Sequence, residues 1–71
     1  MGCQLRIEIL GDEDKGETLL DLICDETGTG YEPVPGGGRF FFASTDDAAA
    51  KAQLASLLDR STDDWREHVS F

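Results

Sequence analysis

Arg39-Phe40-Phe41-Phe42-Ala43 is the densest apolar run in the chain. Three consecutive aromatics, with glycines before them and a helix-start signal after them, predict a buried, central β-strand. Just upstream, residues 30–35 read as a short extended segment carrying Pro33 and Pro35. Proline cannot donate to a ladder, so this strand belongs at a sheet edge. Gly36-Gly37-Gly38 then predicts a flexible hairpin connection into the aromatic strand.

Further toward the N-terminus, residues 3–10 alternate. Leu5, Ile7 and Ile9 point one way, and Gln4, Arg6 and Glu8 the other, as in a strand with one buried face. Residues 14–27 read as a helix. Asp14 and Glu17 stand at capping-box spacing, and Gly28 supplies a left-handed stop. At 100° per residue, Leu19, Leu20 and Ile23 share a core face. Asp14, Glu17, Asp21 and Asp25 share the opposite one. Gly16 falls in the first turn, where its helix cost matters least.

Downstream, Ser44 and Asp47 stand at capping spacing before a second helix that extends to about residue 60. Ala50, Leu54, Leu57 and Leu58 form its apolar stripe, and Ala48, Ala52 and Ala55 a bare one on the other side. Residues 65–71 alternate Trp65, Glu67, Val69 and Phe71 with Arg66, His68 and Ser70. That predicts a final edge strand, its charges discouraging edge-to-edge pairing. Ser61 and Asp64 leave a short third helix as the alternative.

The order β-α-β-β-α-β matches the ferredoxin-like split βαβ arrangement, an α+β fold. It predicts one domain over residues 1–71 with a four-stranded antiparallel sheet ordered 4-1-3-2 and both helices on one face. The proline-bearing and charged strands are then the edges, and the two most apolar strands are central.

The chain has 71 residues, 15 acidic and 6 basic, for a net charge of −9. Residues 1–32 hold nine of the acids against two bases, so the charge is uneven. Such a protein is repelled by nucleic acid and anionic membrane and attracted to basic surfaces. No apolar run approaches the roughly 20 residues of a membrane span, and no secretory signal opens the chain. A cytoplasmic protein is expected. Met1-Gly2-Cys3 resembles an acylation start, but Arg6 stands where that pattern needs Ser or Thr.

Catalytic, cofactor and metal sites are not expected. Cys3 and Cys24 lack the C-x₂-C spacing of a metal site. The fold returns the end of the first helix toward the start of the first strand, so a disulfide between them is an alternative to two packed thiols. His68, near Asp63 and Asp64, has no second His or Cys ligand converging on it by sequence. The carboxylate pairs Asp12/Asp14 and Asp46/Asp47 lie in polar loops rather than in the dry pocket that acid-base catalysis needs. Glycines 36–38 join two strands, which is not the setting of a phosphate loop.

The acidic face is the remaining constellation. Asp14, Glu17, Asp21 and Asp25 climb about 16 Å of helix. Asp25 and Glu26 occupy the last turn, where the helix dipole disfavours anions by about 0.3–1 kcal/mol each. Antiparallel helices would bring Asp46 and Asp47 beside Asp25 and Glu26. They would also bring Asp59, Asp63 and Asp64 beside Asp12, Glu13 and Asp14. The partner-binding residues expected are therefore Asp14, Glu17, Asp21, Asp25, Glu26, Asp46 and Asp47. The acid-rich, lysine-poor composition also fits adaptation to high salt.

Size and charge resemble small phage-encoded inhibitors, anti-CRISPR proteins among them, although no residue motif carries that likeness. The expectation is a non-enzymatic, monomeric, cytoplasmic binding protein. It would mimic nucleic acid on a basic, nucleic-acid-binding surface of another protein, with no direct nucleic-acid or membrane contact. The stretch Asp14-Lys15-Gly16 with Leu19, Leu20, Ile23 and Gly28 resembles the first loop and helix of ACT domains, with Lys15 where a proline is usual. That resemblance covers about 15 residues. It implies a regulatory domain that dimerises through its sheet and takes an effector at residues 11–16. An exposed aromatic beside Gln4, Arg6 and Glu8 would favour self-association.

Overall fold

The computed structural model describes residues 2–43 and 45–71. Its elements are β1 (Cys3–Ile9), α1 (Glu13–Thr27), β2 (Tyr31–Val34), β3 (Gly37–Phe42), α2 (Asp47–Ser61), a single 3₁₀ turn (Trp65–Glu67) and β4 (Val69–Ser70). The sheet order is β2-β3-β1-β4, with every neighbouring pair antiparallel. This is the expected α+β fold with the 4-1-3-2 sheet.

The central pair sets the register. Leu5 stands opposite Phe40, Arg6 opposite Arg39 and Gln4 opposite Phe41. Alternation therefore sends Leu5, Ile7, Phe40 and Phe42 to the helical side, where all four are buried. Leu19, Leu20 and Ile23 of α1 meet them there, with Ala50, Leu54, Leu57 and Leu58 of α2. Phe40 is the pivot. It is completely buried, 5.2 Å from the Tyr31 ring and 6.3 Å from Phe42. Truncating such a phenylalanine to alanine costs about 3–5 kcal/mol.

Because β1 and β2 both oppose β3, they run parallel to each other, so α1 must run back between them. β4 also opposes β1, so α2, which joins β3 to β4, runs antiparallel to α1.

Local signals differ from the sequence expectation in four places. Asp12 caps α1, accepting the Asp14 backbone N–H at 2.9 Å, so the cap lies two residues earlier than the Asp14/Glu17 box predicts. Asp46 caps α2 through the Ala49 N–H at 2.8 Å, and the Ser44 cap falls outside the described residues. The hairpin turn is at Pro35 and Gly36, with Gly36 at φ 81°, while Gly37 and Gly38 belong to β3. They are glycines because of close approach. A Cβ on Gly37 would enter the Ile7 backbone, and one on Gly38 would meet the Tyr31 ring.

The last difference lies in residues 65–71. They form a 3₁₀ turn and a two-residue strand rather than a continuous strand. Trp65 governs this. Its indole is buried and stacks on Phe71 at 5.4 Å, and its Nε1–H donates to Asp59 at 2.7 Å. The Arg66 guanidinium lies 4.2 Å from the Trp65 ring centre and pairs with Asp59 at 3.2 Å. The two ends of the segment are thus folded onto each other, a contact that mimics period-two spacing in the sequence.

Candidate functional site

The outward face of α1 is fixed by what its inward face must do. Gly16, Leu19, Leu20 and Ile23 are buried, which leaves Asp14, Glu17, Asp21 and Asp25 exposed on the far side. Gly16 is an active part of this geometry. A Cβ there would run into the Ile9 side chain, so the missing methyl lets the first turn of α1 settle directly on β1. Glu13 and Glu26 are exposed as well. Gly28 stops the helix at φ 70°, as expected, and no basic residue occupies its last turn.

Among the described residues none of the α1 carboxylates is in an ion pair. Among the described residues the ion pairs are Arg39–Glu32, Arg66–Asp59 and His68–Asp64. The charge is also segregated. The open sheet face carries Arg6, Arg39, Glu8 and Glu32, two of each sign. The remaining thirteen acids and four bases, and hence the whole net charge of −9, sit on the helices, loops and ends.

Asp46 and Asp47 are exposed at the start of α2, beside Cys3. Glu26 instead shares a hollow with Leu57, Arg60 and Ser61. The other end comes closer to the expected cluster. Asp64 lines a hollow of about 250 Å³ with Lys15, Thr18, Leu19, Thr62 and His68. The seven expected partner-binding residues are thus all exposed. The four on the outer stripe of α1 form one row, and Asp46 and Asp47 form a separate group.

The titratable groups have readable chemistry. Both thiols are free and half-buried. Burial, and then Asp47 and Asp46, push the Cys3 thiol above its usual pKa. Burial, and then Asp21 and Asp25, do the same to Cys24. Both are therefore protonated and weakly nucleophilic at neutral pH. The disulfide considered from sequence is not formed. Asp59 is held below the usual carboxylate range by the Trp65 indole and then Arg66. Asp64 is lowered by the Thr62 hydroxyl and then His68, whose Nε2 lies 3.4 Å away. Both stay ionised as acceptors. Among the described residues no three His, Cys, Asp or Glu side chains converge to hold a metal. No helix is long and apolar enough to cross a membrane.

Residues 11–16 are not the open effector loop that the ACT resemblance implies, because Glu13 onward is helical. No protein-family model, no curated protein and no solved structure matches the chain. Function must therefore be argued from these surfaces alone.

Proposed function

We propose that this protein is a small, non-enzymatic cytoplasmic binding protein. It docks the acidic face of α1 on a basic, nucleic-acid-binding surface of a partner protein and so acts as an inhibitor that competes with phosphates. The observation that carries this reading is the row Asp14, Glu17, Asp21 and Asp25. All four are exposed, and none is in an ion pair among the described residues. A carboxylate row left free of internal cations keeps its full charge for Lys and Arg side chains of another molecule. Asp46 and Asp47 serve as a flank at the end of the molecule that holds Cys3.

The test is capture of partners from the native host, or from a host's defence complexes if the gene is phage-borne, with the chain as bait. Elution should follow moderate salt, and duplex DNA should compete. Retention of the same partner by a folded Asp21→Lys/Asp25→Lys variant would refute the reading. A second reading, a regulatory domain that dimerises through its sheet, is favoured by Phe41, which is 45% exposed on the open face. Light scattering separates the two, since the first reading is of a monomer.

A further inference from the structure

The open sheet face differs chemically from the rest of the molecule. Arg6 and Arg39 stand directly opposite each other on β1 and β3. Two like charges at such a site, with Cβ atoms about 4.5–5.5 Å apart, destabilise the strand pair. Each makes one internal contact and keeps further donors free. Arg6 Nη2 donates to the Pro35 carbonyl at 2.9 Å, and Arg39 meets Glu32 at 3.5 Å with both side chains well exposed. A guanidinium has five N–H donors, so most remain free for an anion.

Beside the pair stands a flat apolar platform. Phe41 is on the same face as Arg39, two residues along β3, a step of about 6.8 Å. Among the described residues it is one of two exposed large hydrophobic side chains, the other being Leu10. Gln4 is its cross-strand neighbour and offers both an amide donor and an acceptor. At the end of the strand pair a shallow hollow of about 310 Å³ lies between Gly2, Cys3, Gln4, Phe41, Phe42 and Ala43, beside the ring and away from the two arginines.

We propose that this face binds a free mononucleotide, with its phosphate on Arg6 and Arg39, its base laid over Phe41 and the base edge read by Gln4. Aromatic stacking with phosphate–guanidinium pairing is the combination that recognises a nucleotide. The one-step separation along β3 suits the reach from base to phosphate.

The surroundings choose the occupant. A second copy is a poor fit. Two-fold sheet-on-sheet packing about an axis over the Arg6–Arg39 pair, the middle of the face, would set both arginines against the same pair of the other copy. A polynucleotide is also excluded by its next phosphates. Glu8 stands one same-face step beyond Arg6, and Glu32 stands across from Arg39. In the other direction the strand end leads to Cys3, beside Asp46 and Asp47. The acidic α1 row lies on the opposite side of the molecule, whose shortest extent is 19 Å. Its field is largely screened over that distance, since the Debye length is about 8 Å at physiological ionic strength.

The test is a titration of the full ¹⁵N-labelled chain with each of the four common ribonucleoside monophosphates, followed by amide shifts. Adenosine, inorganic phosphate and an oligothymidylate are the comparison probes. At least one mononucleotide should shift Gln4, Arg6, Arg39 and Phe41 at up to millimolar concentration. Adenosine and phosphate should each bind at least roughly tenfold more weakly. Phe41→Ala should weaken binding roughly tenfold or more, since one stacked base contributes on that scale. Arg39→Gln should also weaken it, and Glu8→Gln should tighten it. All three variants keep the core intact, which amide dispersion verifies. Absence of shifts at millimolar nucleotide overturns the proposal. So does inorganic phosphate binding as tightly as the nucleotide, an oligomer binding more tightly than the monomer, or a dimer that buries Phe41. Apart from the dimer, which would favour the sheet-dimer reading, these results do not bear on the α1 row, which stands or falls with partner capture.

Discussion

α1 and α2 are both fifteen residues long, both start on an aspartate cap, and they lie side by side on one face of one sheet. Between Glu13 and Thr27, α1 carries six acids and one base. Between Asp47 and Ser61, α2 carries two of each. α2 follows the dipole, with Asp47 in its first turn and Arg60 in its last. α1 ends on Asp25 and Glu26 with no base in its own last turn. Length, capping and packing are therefore satisfied without the charge. A coat laid down only for solubility or for high salt would fall on both helices, yet α2 presents Ala48, Ala49 and Ala52 to solvent. The asymmetry favours a recognition surface on α1.

The largest effect should come from reversing α1. Asp21→Lys with Asp25→Lys should weaken capture of a basic partner by about a hundredfold or more, because like charges facing across an interface cost several kcal/mol. Ala48→Lys with Ala52→Lys on α2 should leave it nearly unchanged. Comparable losses from both pairs, measured by surface binding at fixed salt, would show that total charge matters and its position does not.

Stability should also separate the helices. Gly16→Ala should destabilise by about 1–3 kcal/mol through overpacking against Ile9, even though it removes a helix penalty of about 1 kcal/mol. On exposed α2, Ala52→Gly should cost about 1 kcal/mol from propensity alone. Urea melts read both. A stabilised Gly16→Ala variant would mean that α1 can lift off β1 at little cost.

The acids of the two regions should respond differently to pH. Asp59, near the end of α2, is lowered by its bonds to Trp65 and Arg66. Its contribution to stability is present above the ordinary carboxylate value of about 3.9 and is lost as pH falls through the lower folded value. Asp59→Asn should therefore melt below the parent at pH 7, and the gap should close on acidification toward pH 3. Trp65 fluorescence follows the same transition. A gap independent of pH would place the role of Asp59 in shape rather than charge.

Much of this was legible before any coordinates. Alternation in β1 named the core face, the prolines named the edge, and Gly28 marked the end of α1. The α1 row followed from angular spacing, which depends only on the helix itself. What stayed hidden was set by contacts between elements. Asp12 and Asp14 offer the same capping chemistry, and the choice depends on where Gly11, at φ 65°, turns the chain. Gly16, Gly37 and Gly38 look like flexibility until β1 and Tyr31 are seen pressed against them. The opposition of Arg6 and Arg39 needs the β1–β3 register. The position of Asp46 and Asp47 depends on where α2 begins relative to Cys3, which no helical wheel contains.

The smallest effect bears most directly on the comparison. Asp25→Lys removes an unfavourable charge from the last turn of α1 and adds a favourable one, each worth about 0.3–1 kcal/mol. For a chain of this size, each kcal/mol should raise Tm by about 4–8 °C. Arg60→Glu should do the reverse on α2. Asp25 also contributes to the raised pKa of Cys24, so Asp25→Lys should lower that pKa and speed alkylation of the thiol. The informative outcome is a variant that is more stable and yet binds its partner less well, because α1 then holds Asp25 against its own stability. If Asp25→Lys neither stabilises the fold nor weakens capture, the inverted end of α1 has no consequence. The contrast between the helices then reduces to composition.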